Sequence, residues 1–431
     1  MTQHAYQTTT LDNGLRVLVC PQPQLHRTHV ALFVRVGSRF ESPHNNGLSH
    51  FLEHMLYRGT DRLRSAHAVN HAFERLGGYL YAATQTDFSV FSLTLPPESI
   101  DAASALFGEV LSRPAFLDID VEKGIVCEEI LEDLDEEGRQ VDADNLSRAL
   151  IYPEHPLGFT ITGDEERVRS FDEAALRAHH ARHYTATSSV LVFSGAIEPA
   201  RALHLAERDF RALPGGEPVL AVAPVHAQTK PRLEILENVS SQTELRLCLR
   251  GIPQNAKERP ALDMLMRVID DGMSTRLYHR LCDDKGLCYD VTAGYDGYED
   301  DGVIDFAAGV QHQRTSRVTS ELLAMLVELG LEGTTDEELA KARRRHGWDM
   351  NALHDSPDDM AAFYAGGMLF NRFESPEERL ASLARVTRAD VRDVARLLAS
   401  PERLNVVAVG LLERDEDKRL AECVNGWSGV R

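Results

Sequence analysis

The sequence predicts an α+β protein made of two similar halves, each with a mostly antiparallel sheet packed with helices. Segments typical of strands and of helices alternate along all 431 residues. The Asn13-Gly14 turn and several adjacent strand pairs favour antiparallel pairing. A helix and then an apolar strand precede Gly195, and the same order recurs before Gly410. This length also favours two or more domains.

The individual elements follow from local patterns taken in chain order. Asn13-Gly14 joins two short strands, apolar or alternating runs predict further strands, and amphipathic runs predict helices. In the first half we expect, after this hairpin, a strand at 28–36, a helix around His50, a helix at 65–76, strands from 79 and at 90–95, helices at 97–111, around Glu129 and at 172–184, and a strand at 189–194. In the second half we expect strands at 232–236 and 244–249, helices at 259–269 and 274–281, strands at 290–294 and 303–309, helices at 314–330, 336–354 and 389–398, and a strand at 404–409.

A stretch rich in proline, alanine and glycine separates the two halves. It includes Pro214-Gly215-Gly216 and continues to Pro231, a composition typical of an interdomain linker. We therefore expect a first domain at 1–213, a linker at 214–231 and a second domain, without a metal site, at 232–431.

The pentapeptide His50-Phe51-Leu52-Glu53-His54 is the main chemical signal. Histidines at i and i+4 lie above one another on a helix, so both imidazoles can reach one metal ion. Glu53 borders the same position without having to be a ligand. The order is the reverse of the His-Glu-x-x-His motif of zinc peptidases, and the three groups suit metal-assisted hydrolysis.

A zinc site with an open position needs a third protein ligand. Glu122 and Glu129 are seven residues apart, two helical turns, and so share a face, whereas Glu128 points elsewhere. Glu129 could be that ligand, and Glu122 could orient one. Spacing alone leaves this open, because the run 128–137 is rich in acidic residues and such runs usually face solvent.

Longer stretches around these motifs resemble a known family. Gly37-Ser38-Arg39-Phe40-Glu41, the segment 47–60, and Glu122 with Glu129-Ile130 are similar to the zinc-site signature of the pitrilysin/insulinase peptidases, which include the mitochondrial processing peptidases. The resemblance runs along essentially the whole chain. It implies two homologous α+β halves that close over a clam-like chamber. It also implies one Zn²⁺ per chain held by His50, His54 and Glu129, with Glu53 as general base and Glu122 as an accessory carboxylate.

The resemblance further implies how an extended peptide substrate would be held. The strand after Gly77-Gly78 would be an edge strand that pairs with substrate backbone through Tyr81, Ala82 and Ala83. The family usually has Asn at the position of Tyr81, so this chain departs from the family at the side-chain amide contact while backbone pairing is retained. Tyr289 matches the tyrosine of a second substrate contact in the other half.

One departure from the family bears on the partner. Relatives often carry an arginine seven residues before the tyrosine of that second contact, whereas this chain has Cys282 seven residues before Tyr289. We expect a zinc-bearing subunit of a heterodimer whose homologous partner supplies the Arg/Tyr pair. The alternative is a homodimer that uses Arg280, Arg276 or neither.

Composition limits the remaining function classes. A formal net charge of −21 argues against nucleic acid and anionic membrane surfaces as partners. The six cysteines lack Cys-x-x-Cys spacing and favour free thiols in a reducing compartment. The start, Met1–Gln7, has no leader pattern and no apolar run could span a membrane, so a cytoplasmic location is expected.

Two further alternatives concern function. One is a maturation protease for a single precursor peptide; the other is a scaffold subunit without activity, which the intact motif disfavours. His179, His180 and His183 are spaced like a second cluster, and we expect surface or capping roles for them.

Overall fold

The computed structural model describes residues 6–430. Residues 1–5 are part of the N-terminal stretch from which we expect no leader, and they lie outside the described residues. The strands are β1 (Gln7–Thr10), β2 (Arg16–Pro21), β3 (Thr28–Val34), β4 (Tyr81–Thr84), β5 (Ser89–Leu95), β6 (Ser189–Gly195), β7 (Arg232–Leu236), β8 (Thr243–Arg250), β9 (Cys288–Gly297), β10 (Gly302–Val310) and β11 (Leu404–Val409).

The helices are α1 (Leu48–Leu56), α2 (Ala66–Glu74), α3 (Ile100–Ser112), α4 (Ile119–Leu131), α5 (Ala143–Ile151), α6 (Glu165–Ser170), α7 (Glu173–His183), α8 (Pro199–Phe210), α9 (Arg259–Ile269), α10 (Arg276–Tyr278), α11 (Thr315–Glu332), α12 (Asp336–Ala352), α13 (Pro357–Leu369), α14 (Pro376–Ala384), α15 (Arg388–Leu398) and α16 (Arg414–Gly426).

The strands form two sheets with the same internal order, which confirms the predicted α+β class with two similar halves. The first sheet runs β1-β2-β6-β3-β5-β4 and the second β7-β11-β8-β10-β9. Each sheet contains one parallel pair, β2 with β6 and β7 with β11, and its other pairs are antiparallel. Both sheets are therefore mixed, and β1 is an additional strand on the first.

The chain divides into two compact units whose boundaries are not those of the sequence halves. The first unit holds the described chain up to Glu132, with Phe159–Val222 and Asp349–Ser375, and the second holds Asp133–Gly158, Ala223–Trp348 and the rest from Pro376. A segment of each predicted domain thus belongs to the other unit. The boundaries 1–213 and 232–431 did not anticipate this exchange.

Apolar burial explains why the exchanged segments lie where they do. In the first unit, α13 contributes Met360 and Tyr364 to a core with Leu18 and Val190 of the first sheet. In the second unit, Ile151 at the end of α5 packs in a buried cluster with Cys248 and Val303 of the second sheet. Each sheet thereby covers one apolar face with a helix that is distant in sequence.

Several helices were not expected from the sequence, namely α5, α6, α8, α13, α14 and α16. The predicted helix at 274–281 is also different, because α10 has only three residues and continues as a π-helical turn over His279–Asp284. Within the described residues, no helix is long and apolar enough to cross a membrane.

Candidate metal centre

Helix α1 places His50 and His54 side by side on one face. Their ring centroids are 4.6 Å apart with an angle of 67° between the ring planes. The helix begins after Gly47, which has a left-handed conformation with φ of 91°. A Cβ at this position would lie 2.5 Å from the carbonyl oxygen of Thr162. Glycine is therefore required where the chain enters the helix.

The N-terminus of α1 is held by a carboxylate from outside the helix. Glu41 accepts hydrogen bonds from the backbone N–H groups of Gly47, at 2.8 Å, and Ser49, at 2.7 Å, and from the side-chain amide of Asn46, at 3.0 Å. These satisfy donors that a helix start leaves without partners, and the negative charge complements the helix dipole. Glu41 therefore fixes the turn that carries His50.

Helix α4 brings Glu129 to the two imidazoles. Glu129 Oε1 lies 3.5 Å from Nε2 of His50, and its Oε2 lies 3.6 Å from Nε2 of His54. Each of the three residues offers a ligand atom, and these atoms lie within 4.8 Å of one another. Among residues 6–430 this is the one such group of three or more, and Glu128 is not part of it.

Glu122 lies on the same face of α4 as Glu129, two turns earlier, and fixes the orientation of His54. Its Oε1 is 2.8 Å from Nδ1 of His54, and its Oε2 accepts a hydrogen bond from the guanidinium of Arg58. Burial alone would raise the pKa of Glu122, but these two partners lower it below its ordinary value. The ionised carboxylate therefore holds the proton of His54 on Nδ1 and leaves Nε2 directed at Glu129.

His50 has the electronic state that a metal ligand needs. Burial, with a smaller effect of His54, lowers its pKa to about 3, so the imidazole is neutral at neutral pH. Its Nδ1 is buried without a hydrogen-bond partner in the described chain. Burial would lower the pKa of His54, but its hydrogen bond to Glu122 and the charges of Glu53 and Glu129 raise it above its ordinary value. Two imidazole nitrogens and one carboxylate oxygen match the donor set of catalytic zinc sites.

Glu53 turns from the same helix towards β4. The hydroxyl of Thr84 donates a hydrogen bond of 2.6 Å to Glu53 Oε2. The side chain of Glu53 is 8% exposed, and this burial raises the pKa of its carboxyl, although Thr84 and His54 oppose the shift. A carboxylate with a raised pKa, held beside the candidate ligands, is suited to general acid–base chemistry.

Strand β4 forms one edge of the first sheet. It pairs with β5 only, and so its outer backbone groups face no other strand of the sheet. Tyr81 is exposed, while Ala82 and Ala83 are half-buried. Because side chains alternate along a strand, Ala82 shares with Thr84 the face turned towards Glu53. The hydroxyl of Tyr57 supports the start of this strand by donating to the carbonyl of Leu80 at 3.2 Å.

The second unit contains the other residues singled out by the resemblance. The side chain of Tyr289 is 91% exposed. Arg280 pairs with Glu321 and Glu328, and Arg276 pairs with Glu338. Arg276 and Arg280, the two candidates to replace an arginine at the position of Cys282, are therefore already paired with carboxylates within this unit.

The expectation of surface or capping roles for His179 and His183 is wrong. They are 5% and 1% exposed, respectively, and Nε2 of His179 lies 3.0 Å from the hydroxyl of Ser49 on α1. His180 lies 2.8 Å, through Nε2, from the carbonyl of Leu111. His179 of α7 thus contacts the metal-site helix, whereas His180 contacts the end of α3 and His183 packs beside Phe40.

Sequence reasoning also missed the residues that support the site. Thr84 reaches Glu53 through a tertiary contact to which no local spacing points. Glu41 lies in the quoted stretch 37–41, only six and eight residues before Gly47 and Ser49, but its role in holding the start of α1 was not expected. Arg58 lies beyond the end of α1 at Leu56, so helical spacing from His54 does not by itself place its guanidinium at Glu122.

Two family models match this chain in succession. Residues 16–165, which contain all three candidate ligands and Glu53, match the model described as Insulinase (Peptidase family M16). Residues 170–345 match the model described as Peptidase M16 inactive domain.

The chain belongs to the M16 family.

Relatives and solved structures cover almost the whole chain. An "uncharacterized zinc protease" of Mycobacterium tuberculosis is 29% identical over 404 residues, 92% of this chain and 91% of the relative. The "uncharacterized zinc protease YmxG" of Bacillus subtilis is 27% identical over 396 residues, 90% of this chain and 94% of the relative.

Among solved structures, a protease from Helicobacter pylori has a TM-score of 0.87 at 20% identity, over 94% of this chain and 99% of the other. A structure described as a peptidase M16 inactive domain from Pseudomonas fluorescens also has a TM-score of 0.87, at 21% identity, over 95% of this chain and 99% of the other. At these identities the structural likeness establishes the two-sheet M16 fold alone.

Proposed function

We propose that this M16 chain is a zinc-dependent endopeptidase that hydrolyses extended, unfolded peptides. The observation that carries the proposal is the convergence of His50, His54 and Glu129, with Glu53 beside them. One zinc ion per chain would be held by these three residues. When bound, zinc would supply Lewis acidity, which acidifies water and polarises a peptide carbonyl.

The chain's own groups perform the proton transfers in this proposal. Glu53 takes the proton from the attacking water and passes it to the departing amine. The hydrogen bond from Thr84 fixes the carboxylate for both transfers. Glu122 keeps the proton of His54 on Nδ1, so that Nε2 remains available to the metal.

The free edge of β4 is the proposed substrate platform. An extended peptide added there would form main-chain hydrogen bonds with Tyr81, Ala82 and Ala83, and would pass close to Glu53 because Thr84 of the same strand contacts it. Main-chain pairing requires an unfolded segment and is largely independent of sequence. This supports peptides without stable structure as the substrate class.

A homologous second subunit is part of the proposal. Cys282 replaces the arginine that relatives often have, and Arg276 and Arg280 are paired with carboxylates. A partner that supplies the Arg/Tyr pair would complete substrate binding, with Tyr289 as this chain's own contribution. A homodimer that works without the arginine and a protease dedicated to one precursor peptide are the alternatives. The cytoplasmic location stays a prediction, consistent with six free cysteines.

Glu53→Gln tests the proposal directly. We expect the purified wild-type chain to carry zinc and to cleave an unfolded basic peptide, and the variant to keep its zinc while turnover falls by about 100-fold or more. Glu132→Gln, at the exposed C-cap of α4, is the matched control and should retain activity. Wild-type turnover in Glu53→Gln would overturn the assignment of the base. An inactive wild-type chain that carries zinc would instead indicate a missing partner, tested by adding a homologous chain with Arg and Tyr.

A further inference from the structure

Two thiols lie together in the second unit, outside the candidate metal centre. The Sγ atoms of Cys282 and Cys288 are 3.8 Å apart. Both side chains are half-buried, whereas Cys20, Cys127 and Cys248 are buried. The proximity arises from the fold of a short segment, since only five residues lie between the two positions.

The segment between these cysteines is a tight loop that returns on itself. Its turn is made at Gly286, where φ is 56°. The N–H of Gly286 donates to the carbonyl of Cys282 at 3.1 Å, and the N–H of Leu287 donates to the carbonyl of Leu281 at 2.8 Å. These bonds hold the π-helical turn against the start of β9, and so they keep the two sulfurs facing each other.

We propose that Cys282 and Cys288 are a modification site, a dithiol that a peroxide converts into a reversible intramolecular disulfide. A disulfide needs its sulfurs about 2.05 Å apart. The present separation therefore has to close by about 1.7 Å, a distance that side-chain rotation can supply without unfolding the loop.

The chemistry balances with one peroxide for each disulfide. The sulfur of one thiol attacks a peroxide oxygen, giving a sulfenic acid and one molecule of water. The second thiol attacks that sulfur, the S–S bond forms, and the hydroxyl leaves with the thiol proton as a second water. The two thiols lose two electrons and two protons in total, and the peroxide is reduced to water.

The surroundings indicate a slow but selective reaction. Burial raises the pKa of Cys288 to about 12, and burial also raises the pKa of Cys282. Both thiols are therefore protonated at neutral pH and react less readily than thiolates. Selectivity comes from the neighbouring sulfur, which captures a sulfenic acid before further oxidation. The bond would close a ring directly before Tyr289, whose side chain projects into solvent.

A peptide map of the full-length wild-type chain tests the site without reference to peptidase activity. Trypsin cleaves after Arg280, Lys285 and Arg314, so the two cysteines fall into separate peptides, 281–285 and 286–314, each with a single cysteine. After treatment with hydrogen peroxide and blocking of free thiols, we expect these peptides to be joined, and dithiothreitol to separate them. The thiol count of the unfolded protein should fall from six to four.

Variants separate this outcome from general oxidation. Cys423→Ser, which removes another half-buried thiol, should form the same linked peptide pair, and Cys288→Ser should form none. The proposal is overturned if the wild-type peptides remain separate under oxidation, whether their thiols stay reduced or become sulfinic acids. It is equally overturned if either cysteine is found joined to a different cysteine or to a second chain.

Discussion

Replacing Glu41 by glutamine should loosen the helix that carries the candidate ligands. In the wild type, one carboxylate oxygen of Glu41 accepts from Gly47 N and Asn46, and the other accepts from Ser49 N. Glutamine keeps the volume but has one oxygen, so its NH₂ group would face at least one N–H donor. A backbone donor at the start of α1 would then be buried without an acceptor.

The size of the effect follows from those contacts. A hydrogen bond to a charged acceptor contributes about 1.5–3 kcal/mol. Burial raises the pKa of Glu41, which shows that desolvation offsets part of that contribution, so we expect a loss of about 2 kcal/mol for the variant. For a unit of this size the loss corresponds to a fall in Tm of roughly 4–8 °C. If zinc binding must restore the first turn of α1, zinc affinity falls by up to about 30-fold.

The assay combines thermal unfolding of the metal-free chain with competition for zinc against a chelator. Glu74→Gln, on an exposed position of α2 in the same unit, is the matched control and should leave both quantities unchanged. If Glu41→Gln had the Tm and the zinc affinity of the wild type, the carboxylate would not hold α1, and the reasoning above would be refuted.

Three further predictions concern single side chains. Glu122→Gln weakens the partner of His54 Nδ1, and zinc affinity in the chelator assay should fall about 10–100-fold; an unchanged affinity would contradict the orienting role. Thr84→Val removes the donor to Glu53, and kcat should fall about 10–100-fold with zinc content and KM unchanged, whereas Thr84→Ser should keep its activity. Burial lowers the pKa of His29 to about 4, below its unfolded value of about 6.5, so its contribution to stability is present above about pH 6.5 and is lost as the pH falls towards 4. His29→Asn should reduce that loss by up to about 1.4 kcal/mol per pH unit in urea unfolding, and an unchanged slope would show that His29 is not the group responsible.

Local spacing was sufficient to place the candidate ligands in pairs on shared helical faces, because they lie on regular helices. The i, i+4 pair His50 and His54 must share a face once α1 forms, and Glu122 and Glu129 share a face on α4 for the same reason. The structure adds that these two faces meet and that Glu129, rather than Glu128, is the residue at the imidazoles. That choice depends on the rotation of α4 against α1, which residue spacing does not specify.

Some structural predictions were wrong because local sequence patterns do not report which elements pack together. His179 and His183 have the spacing of polar surface residues, yet their helix is packed behind α1 and buries them. The predicted helix at 274–281 becomes a π-helical turn from His279, and the chain then reverses at Gly286 to enter β9. No composition signal indicated the exchange of α5 and α13 between the units. Helix α5 is amphipathic and α13 carries apolar residues on several faces, and neither pattern specifies which sheet a helix covers.

By itself, the sequence determined the two-sheet α+β plan, the helical pairs of candidate ligands and the family, since all three depend on periodicity and motif spacing along the chain. Only the tertiary structure decided which groups support the candidate site, namely Glu41 at the start of α1 and Thr84 on Glu53, and that the thiols of Cys282 and Cys288 face each other. The physical reason is that hydrogen bonds and thiol contacts act over a few ångströms. Which groups come within that range is set by the packing of helices on sheets and by the reversal of the chain at loops.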